Sequence, residues 1–142
     1  MTVQQKIEPY VIKAEPRPER YARGWYVIGN AASVTTTPRM LEVFGTKLVA
    51  YRGEEDGAVH ILDAYCPHMG GDLSGGKVCG NSVVCPLHLW SWGADGVCDD
   101  IPYAKKIPEK AVIKSWPVLE RNGLVLAWQD PENNAPIPRQ AP

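Results

Sequence analysis

The chain has 142 residues, a net charge of −1 and an isoelectric point near 6.3, which fits one domain large enough to bury a hydrophobic core. A balanced charge argues against a nucleic-acid binder, whose footprint is strongly basic. No apolar run approaches the roughly 18 residues of a membrane span, and Met1 to Glu8 lack the apolar stretch of a signal peptide. The expected location is therefore the cytoplasm, a reducing compartment where four cysteines serve metals rather than disulfides.

Thirteen glycines and thirteen prolines fall between short β-rich runs, so the predicted class is all-β with dense turns. A lead-in over residues 1–19, marked by Pro16 and Pro18, precedes a strand pattern over residues 20–129. Gly24 to Gly29 reads as a first strand, and Met40 to Phe44 and Lys47 to Arg52 as the next two. The polar stretch Gly53 to Gly57 turns into Ala58 to Asp63, which predicts a hairpin. Val78 and Ser82 to Val84 bracket a Gly80-Asn81 turn, and Leu89 to Trp92 and Gly96 to Cys98 pair around Ala94-Asp95-Gly96. Val112 to Glu120 and Leu124 to Trp128 flank Arg121-Asn122-Gly123, whose Asn-Gly step is a strong hairpin signal. Only Pro108 to Lys110 offers a start for a short helix. Residues 130–142 form a polar, proline-rich tail, readable as a frayed terminus or as a linker.

Two of the connecting segments carry chemistry. Cys66-Pro67-His68-Met69-Gly70-Gly71 and Cys85-Pro86-Leu87-His88-Leu89-Trp90 each supply one thiol and one imidazole, with sixteen residues between His68 and Cys85. A Rieske [2Fe–2S] cluster needs two cysteines on one iron and two histidines on the other. Cys₂His₂ zinc is the competitor, but zinc sites usually open with two cysteines and close with two histidines. Here each loop mixes the two ligand types, so Cys66, His68, Cys85 and His88 are the predicted cluster ligands. Pro67, Pro86, Gly70 and Gly71 stiffen the loops and let backbone amides approach the sulfurs. Met69 and Leu87 flank the ligands, and Trp90 and Trp92 roof the cluster against water. Electron transfer needs a short path, so His68 and His88 are expected to reach solvent at the tip.

Other residues have plainer readings. Cys79 and Cys98 read as buried small hydrophobes. Asp72 caps the loop backbone or takes a proton from a histidine. Lys105, Lys106 and Lys110 form a solvated face or a dock for an acidic reductase. A mononuclear oxygenase iron takes two histidines and a carboxylate. With His68 and His88 committed, only His60 remains, so these 142 residues do not build such a site by themselves.

The wording of the loops and their surroundings extends the likeness. Arg20-Tyr21-Ala22-Arg23-Gly24-Trp25, Phe44-Gly45-Thr46-Lys47-Leu48-Val49, Leu62-Asp63-Ala64-Tyr65-Cys66, His68-Met69-Gly70-Gly71-Asp72-Leu73-Ser74 and Ile101-Pro102-Tyr103-Ala104 resemble the N-terminal domain of 3-ketosteroid 9α-hydroxylase oxygenase components. The resemblance implies two stacked antiparallel sheets with a small cluster-binding sub-domain. It also implies electrons arriving from an NADH-linked flavin or ferredoxin-type reductase and leaving for a mononuclear Fe(II) in a catalytic domain outside this chain. A stand-alone Rieske ferredoxin serving a separate oxygenase is the alternative. Respiratory Rieske proteins, a more distant resemblance, carry a disulfide at the positions of Gly71 and Leu87 and hydroxyl donors at those of Trp90 and Trp92. Both departures predict a low potential within the Rieske range of about −150 to +300 mV.

Overall fold

The computed structural model describes residues 20–137. The lead-in over residues 1–19 and the end of the tail, residues 138–142, lie outside the described residues. Among the described residues, eleven short strands build three antiparallel sheets. The outer sheet runs in the order β1 (Gly24–Asn30), β11 (Leu124–Gln129), β10 (Val118–Arg121). The central sheet orders β2 (Arg39–Val43), β3 (Thr46–Arg52), β4 (Val59–Asp63) and β9 (Ser115–Trp116). The loop sheet orders β5 (Lys77–Cys79), β6 (Ser82–Val84), β7 (Ser91–Trp92) and β8 (Cys98–Asp100).

The central sheet is covered on both faces, and the alternation of strand side chains explains how. Leu48 and Ala50 of β3 and Ile61 of β4 join Trp116, Val125 and Ala127 in a core towards the outer sheet. Their neighbours Val49, Tyr51 and Leu62 point the other way, into a second core with Leu73, Val83, Trp92, Ile101 and Ile113. Each such aliphatic side chain contributes about 1.5–3 kcal/mol on burial. The second core supports the loops, because Cys66 and Cys85 belong to it. Tyr51 ties the two sheets together. Its hydroxyl donates to the Asn81 carbonyl at 2.9 Å, and burial raises its pKa well above the ordinary tyrosine range.

Most predicted strands and hairpins are present, with four corrections. Phe44 is a turn residue rather than the end of β2: with Gly45 it forms a two-residue link at φ 54° and 67°. Phe44 pays for that conformation with packing, lying parallel to Trp116 at 5.4 Å between the edges of Tyr21 and Tyr26. The run Val112 to Glu120 is not one strand. Val112 makes an isolated bridge to Val97, β9 pairs with β4, and after Pro117, which has no N–H to donate, β10 pairs with β11. Pro108 to Lys110 forms no helix, and Leu89 and Trp90 belong to a loop, with Ser91 and Trp92 alone pairing to β8. Asp130 to Asn134 fold back on the outer sheet. Trp128 Nε1 donates to the Asn134 carbonyl at 2.9 Å, and Arg23 pairs with the buried Asp130 at 3.0 Å.

Candidate metal centre

The first loop leaves the end of β4 and runs from Cys66 to Gly71. The Cys66 N–H donates to the Gly71 carbonyl and the Gly70 N–H returns to the Cys66 carbonyl, both at 2.8 Å. The second loop connects β6 to β7 and closes in the same way. The Cys85 N–H donates to the Trp90 carbonyl at 2.8 Å, and the Leu89 N–H donates to the Cys85 carbonyl at 3.1 Å. In both, the residue four places after the cysteine takes positive φ, 74° at Gly70 and 63° at Leu89. Asp72 acts as the cap: its Oδ1 accepts from the Ser74 N–H at 2.9 Å and from the Ser74 hydroxyl at 2.6 Å, starting the 3₁₀ turn Leu73–Gly75.

The structure sorts the four predicted ligands by type and depth. Cys66 and Cys85 are buried, each 2% exposed, whereas His68 and His88 are exposed. The two imidazoles meet edge to face at 5.1 Å between ring centroids. Gly71 shows how close the loops lie: a β-carbon there would sit 2.5 Å from Cys85 Sγ and 3.1 Å from Leu87. Met69 and Leu87 are exposed apolar flanks beside the histidines.

The tryptophans divide the remaining work. Trp90 lies flat on His68, 4.3 Å between centroids and 12° between planes, and its Nε1–H donates to the Tyr103 hydroxyl at 2.7 Å. Trp92 is fully buried below and stacks against Trp90 at 6.0 Å. Burial pushes the Cys66 thiol pKa up, opposed in part by the His68 backbone N–H. Tyr103 is the site residue that sequence reasoning overlooked. It stood in the Ile-Pro-Tyr-Ala word, thirteen positions from its partner, with no local pattern to join them.

The other cysteines differ. Cys98 is buried as expected, and burial raises its thiol pKa. Cys79 is exposed at the end of β5, contrary to the expectation, because the Cys79–Ser82 pair sits at the rim of the loop sheet. Lys105, Lys106 and Lys110 are all exposed.

Comparison with known proteins decides the family. The Rieske [2Fe-2S] domain family matches residues 24–117. The chain belongs to it. The 3-ketosteroid-9-alpha-monooxygenase oxygenase component of Rhodococcus rhodochrous is 46% identical over 131 residues, covering 92% of this chain and 33% of that protein. Apo dicamba monooxygenase superposes with a TM-score of 0.73 at 30% identity, over 80% of this chain and 35% of that one. The oxygenase–ferredoxin complex of carbazole 1,9a-dioxygenase gives a TM-score of 0.64 at 27% identity, over 74% and 28% of the chains. This Rieske domain thus spans about a third of the length of the curated relative it matches. Among the described residues no helix is long and apolar enough to cross a membrane.

The residues present fit the family's [2Fe–2S] cluster. Among the described residues no three His, Cys, Asp or Glu side chains gather around one point, as a zinc ion would require. A binuclear cluster asks for less convergence: two thiolates at one iron and two imidazoles at the other. Buried sulfurs beneath exposed imidazoles match that division, and Gly71 leaves open the space above Cys85 Sγ that any side chain would fill.

Proposed function

We propose that Cys66, His68, Cys85 and His88 hold the [2Fe–2S] cluster, and that this domain is the electron-accepting part of a steroid-type Rieske oxygenase. The reading is carried by one observation: two loops of matching backbone geometry place a buried cysteine pair under an exposed histidine pair. When bound, the cluster supplies a one-electron acceptor whose histidine-bound iron takes the charge. The chain's own part is to set the route and the environment. His68 and His88 offer ring edges to a partner, while Trp90, held by Tyr103, keeps water off one face of His68. Electrons arrive from an NADH-linked flavin or ferredoxin-type reductase and leave for a mononuclear Fe(II) in a catalytic domain beyond these residues. The named relatives support that pairing, one being an oxygenase component and one an oxygenase in complex with a ferredoxin.

Iron and sulfide analysis tests the ligands. Cys66→Ser and Cys85→Ser should lose the cluster, since no nearby group replaces the thiolate, while Cys79→Ser and Cys98→Ser should keep it. Two irons and two sulfides per chain in Cys85→Ser would overturn the assignment. Voltammetry tests the oxygenase-type role: the midpoint should lie near or below about 0 mV, in the lower half of the Rieske range. A value above about +200 mV would withdraw it.

A further inference from the structure

Tyr103 is a large side chain left in the open. It is 63% exposed, so it buries little apolar surface and adds little to the core. Its backbone, by contrast, is fixed. Ile101 is anchored in the second core, Pro102 presets the chain for a turn, and the Ala104 N–H closes that turn on the Ile101 carbonyl at 2.9 Å. What the turn presents is a hydroxyl, and that hydroxyl accepts the Trp90 Nε1–H at 2.7 Å. Trp90 already stacks on His68 at 4.3 Å and on Trp92 at 6.0 Å. Stacking alone leaves a flat ring free to slide and turn within its own plane. A hydrogen bond directed at one ring atom removes that freedom.

We propose that Tyr103 is a positioning residue for electron transfer: its hydroxyl locks the Trp90 indole over His68, and the water this excludes keeps the reduction potential low. The inference rests on His68 being a ligand, as proposed above, and adds what sets the potential. Its sign follows from charge. Two ferric ions, two sulfides, two thiolates and two neutral imidazoles sum to zero, and one-electron reduction leaves a net negative charge. Water stabilises that charge and an apolar ring does not. Covering His68, on the iron that takes the electron, therefore favours the neutral oxidised state. The electron comes from the electrode or the reductase, and Tyr103 and Trp90 keep their protons throughout.

The test is voltammetry of the cluster-loaded protein and its Tyr103→Phe variant, with iron and sulfide measured on both. The variant keeps the ring and loses the oxygen, so it should load fully. Its midpoint should rise by about 28 mV, a roughly threefold change in the oxidised-to-reduced ratio at ~59 mV per tenfold for one electron. Pulsed EPR of the reduced proteins in heavy water should show deeper deuterium modulation in the variant, because water then approaches the cluster. An unchanged or lowered midpoint in fully loaded Tyr103→Phe overturns the inference, as does unchanged modulation. An equal rise in Tyr65→Phe, at the exposed tyrosine preceding Cys66, overturns it too. The Tyr103→Phe/Trp90→Phe double variant should match Trp90→Phe alone, since Tyr103 acts through the indole, and additive shifts overturn that route. Should Tyr103→Phe fail to load, Trp90→Phe decides: a raised midpoint supports the inference and an unchanged one overturns it. Full loading of His68→Ala would instead show that the ligand reading had failed, and the inference with it.

Discussion

The two cluster loops share a backbone plan and differ in everything that holds it. Each cysteine N–H reaches the carbonyl five residues on, and each cysteine carbonyl receives the N–H four residues on. The left-handed position is glycine in the first loop and leucine in the second. For an L-residue that conformation costs about 1–2 kcal/mol, so Leu89 is held there by its surroundings whereas Gly70 is not. The frames differ too. The second loop is the tip of a paired hairpin, Val84 opposite Ser91. The first is flanked by one isolated bridge, Tyr65 to Asp72, and by the Asp72 cap. Two sequences with their histidines at different offsets thus reach one geometry, the first through permissive residues and the second through the sheet beneath it.

Removing the cluster should break this equivalence most visibly. After chelation of iron, hydrogen exchange is expected to rise by orders of magnitude over residues 66–72, with residues 85–90 retaining more protection from the β6–β7 pairing. Equal loss in both loops would show that the hairpin gives the second no independent support.

Steric change at the meeting point comes next. Gly71→Ala places a β-carbon 2.5 Å from Cys85 Sγ, and overpacking of this kind costs about 1–3 kcal/mol. Iron content should fall well below that of the parent protein. Full loading would mean that the loops separate more easily than their geometry implies.

Exchanging the left-handed residues sharpens the contrast. Gly70→Ala introduces a β-carbon at φ 74° with no neighbour within 4 Å, so it should destabilise by about 1–2 kcal/mol while the cluster is kept. Leu89→Gly relieves similar strain but loosens the unfolded chain by about 0.5–1 kcal/mol, so its net effect should stay within about 1 kcal/mol. Denaturant midpoints on loaded protein measure both, and a larger loss in Leu89→Gly would reveal packing that holds Leu89 in place.

The smallest effect concerns acid. Asp56 and Asp130 both have lowered pKa values, from the Ala58 backbone N–H with His60 in one case and from the Glu132 backbone N–H with Arg23 in the other. A carboxylate with a depressed folded pKa stabilises above its unfolded value, near pH 4, and the gain is lost as pH falls through the folded value. Both residues lie outside the loops, so acid should loosen the frame. Thermal melts of Asp56→Asn below pH 4 should show a shallower loss than the parent protein, and an identical pH profile would remove Asp56 from the account.

What could be read from the sequence alone was local in origin. The alternation of Cys and His in two short words specified a binuclear cluster over zinc, because ligand type and spacing are written in consecutive residues. Asn122-Gly123 announced its hairpin, since both residues readily adopt the positive φ, 52° and 76°, that the turn needs. The cap at Asp72 was legible for the same reason. Long-range pairing decided the rest. Phe44 turns left-handed only because Trp116, seventy-two positions away, stacks on its ring at 5.4 Å. The run from Val112 to Glu120 looks continuous, yet two different sheets claim its halves. Trp90 and Trp92 were indistinguishable as roof residues until Tyr103 took one indole N–H and left the other buried without a protein acceptor. Hydrogen-bond donors are assigned by whatever the folded chain brings within about 3 Å, and sequence distance carries no record of that.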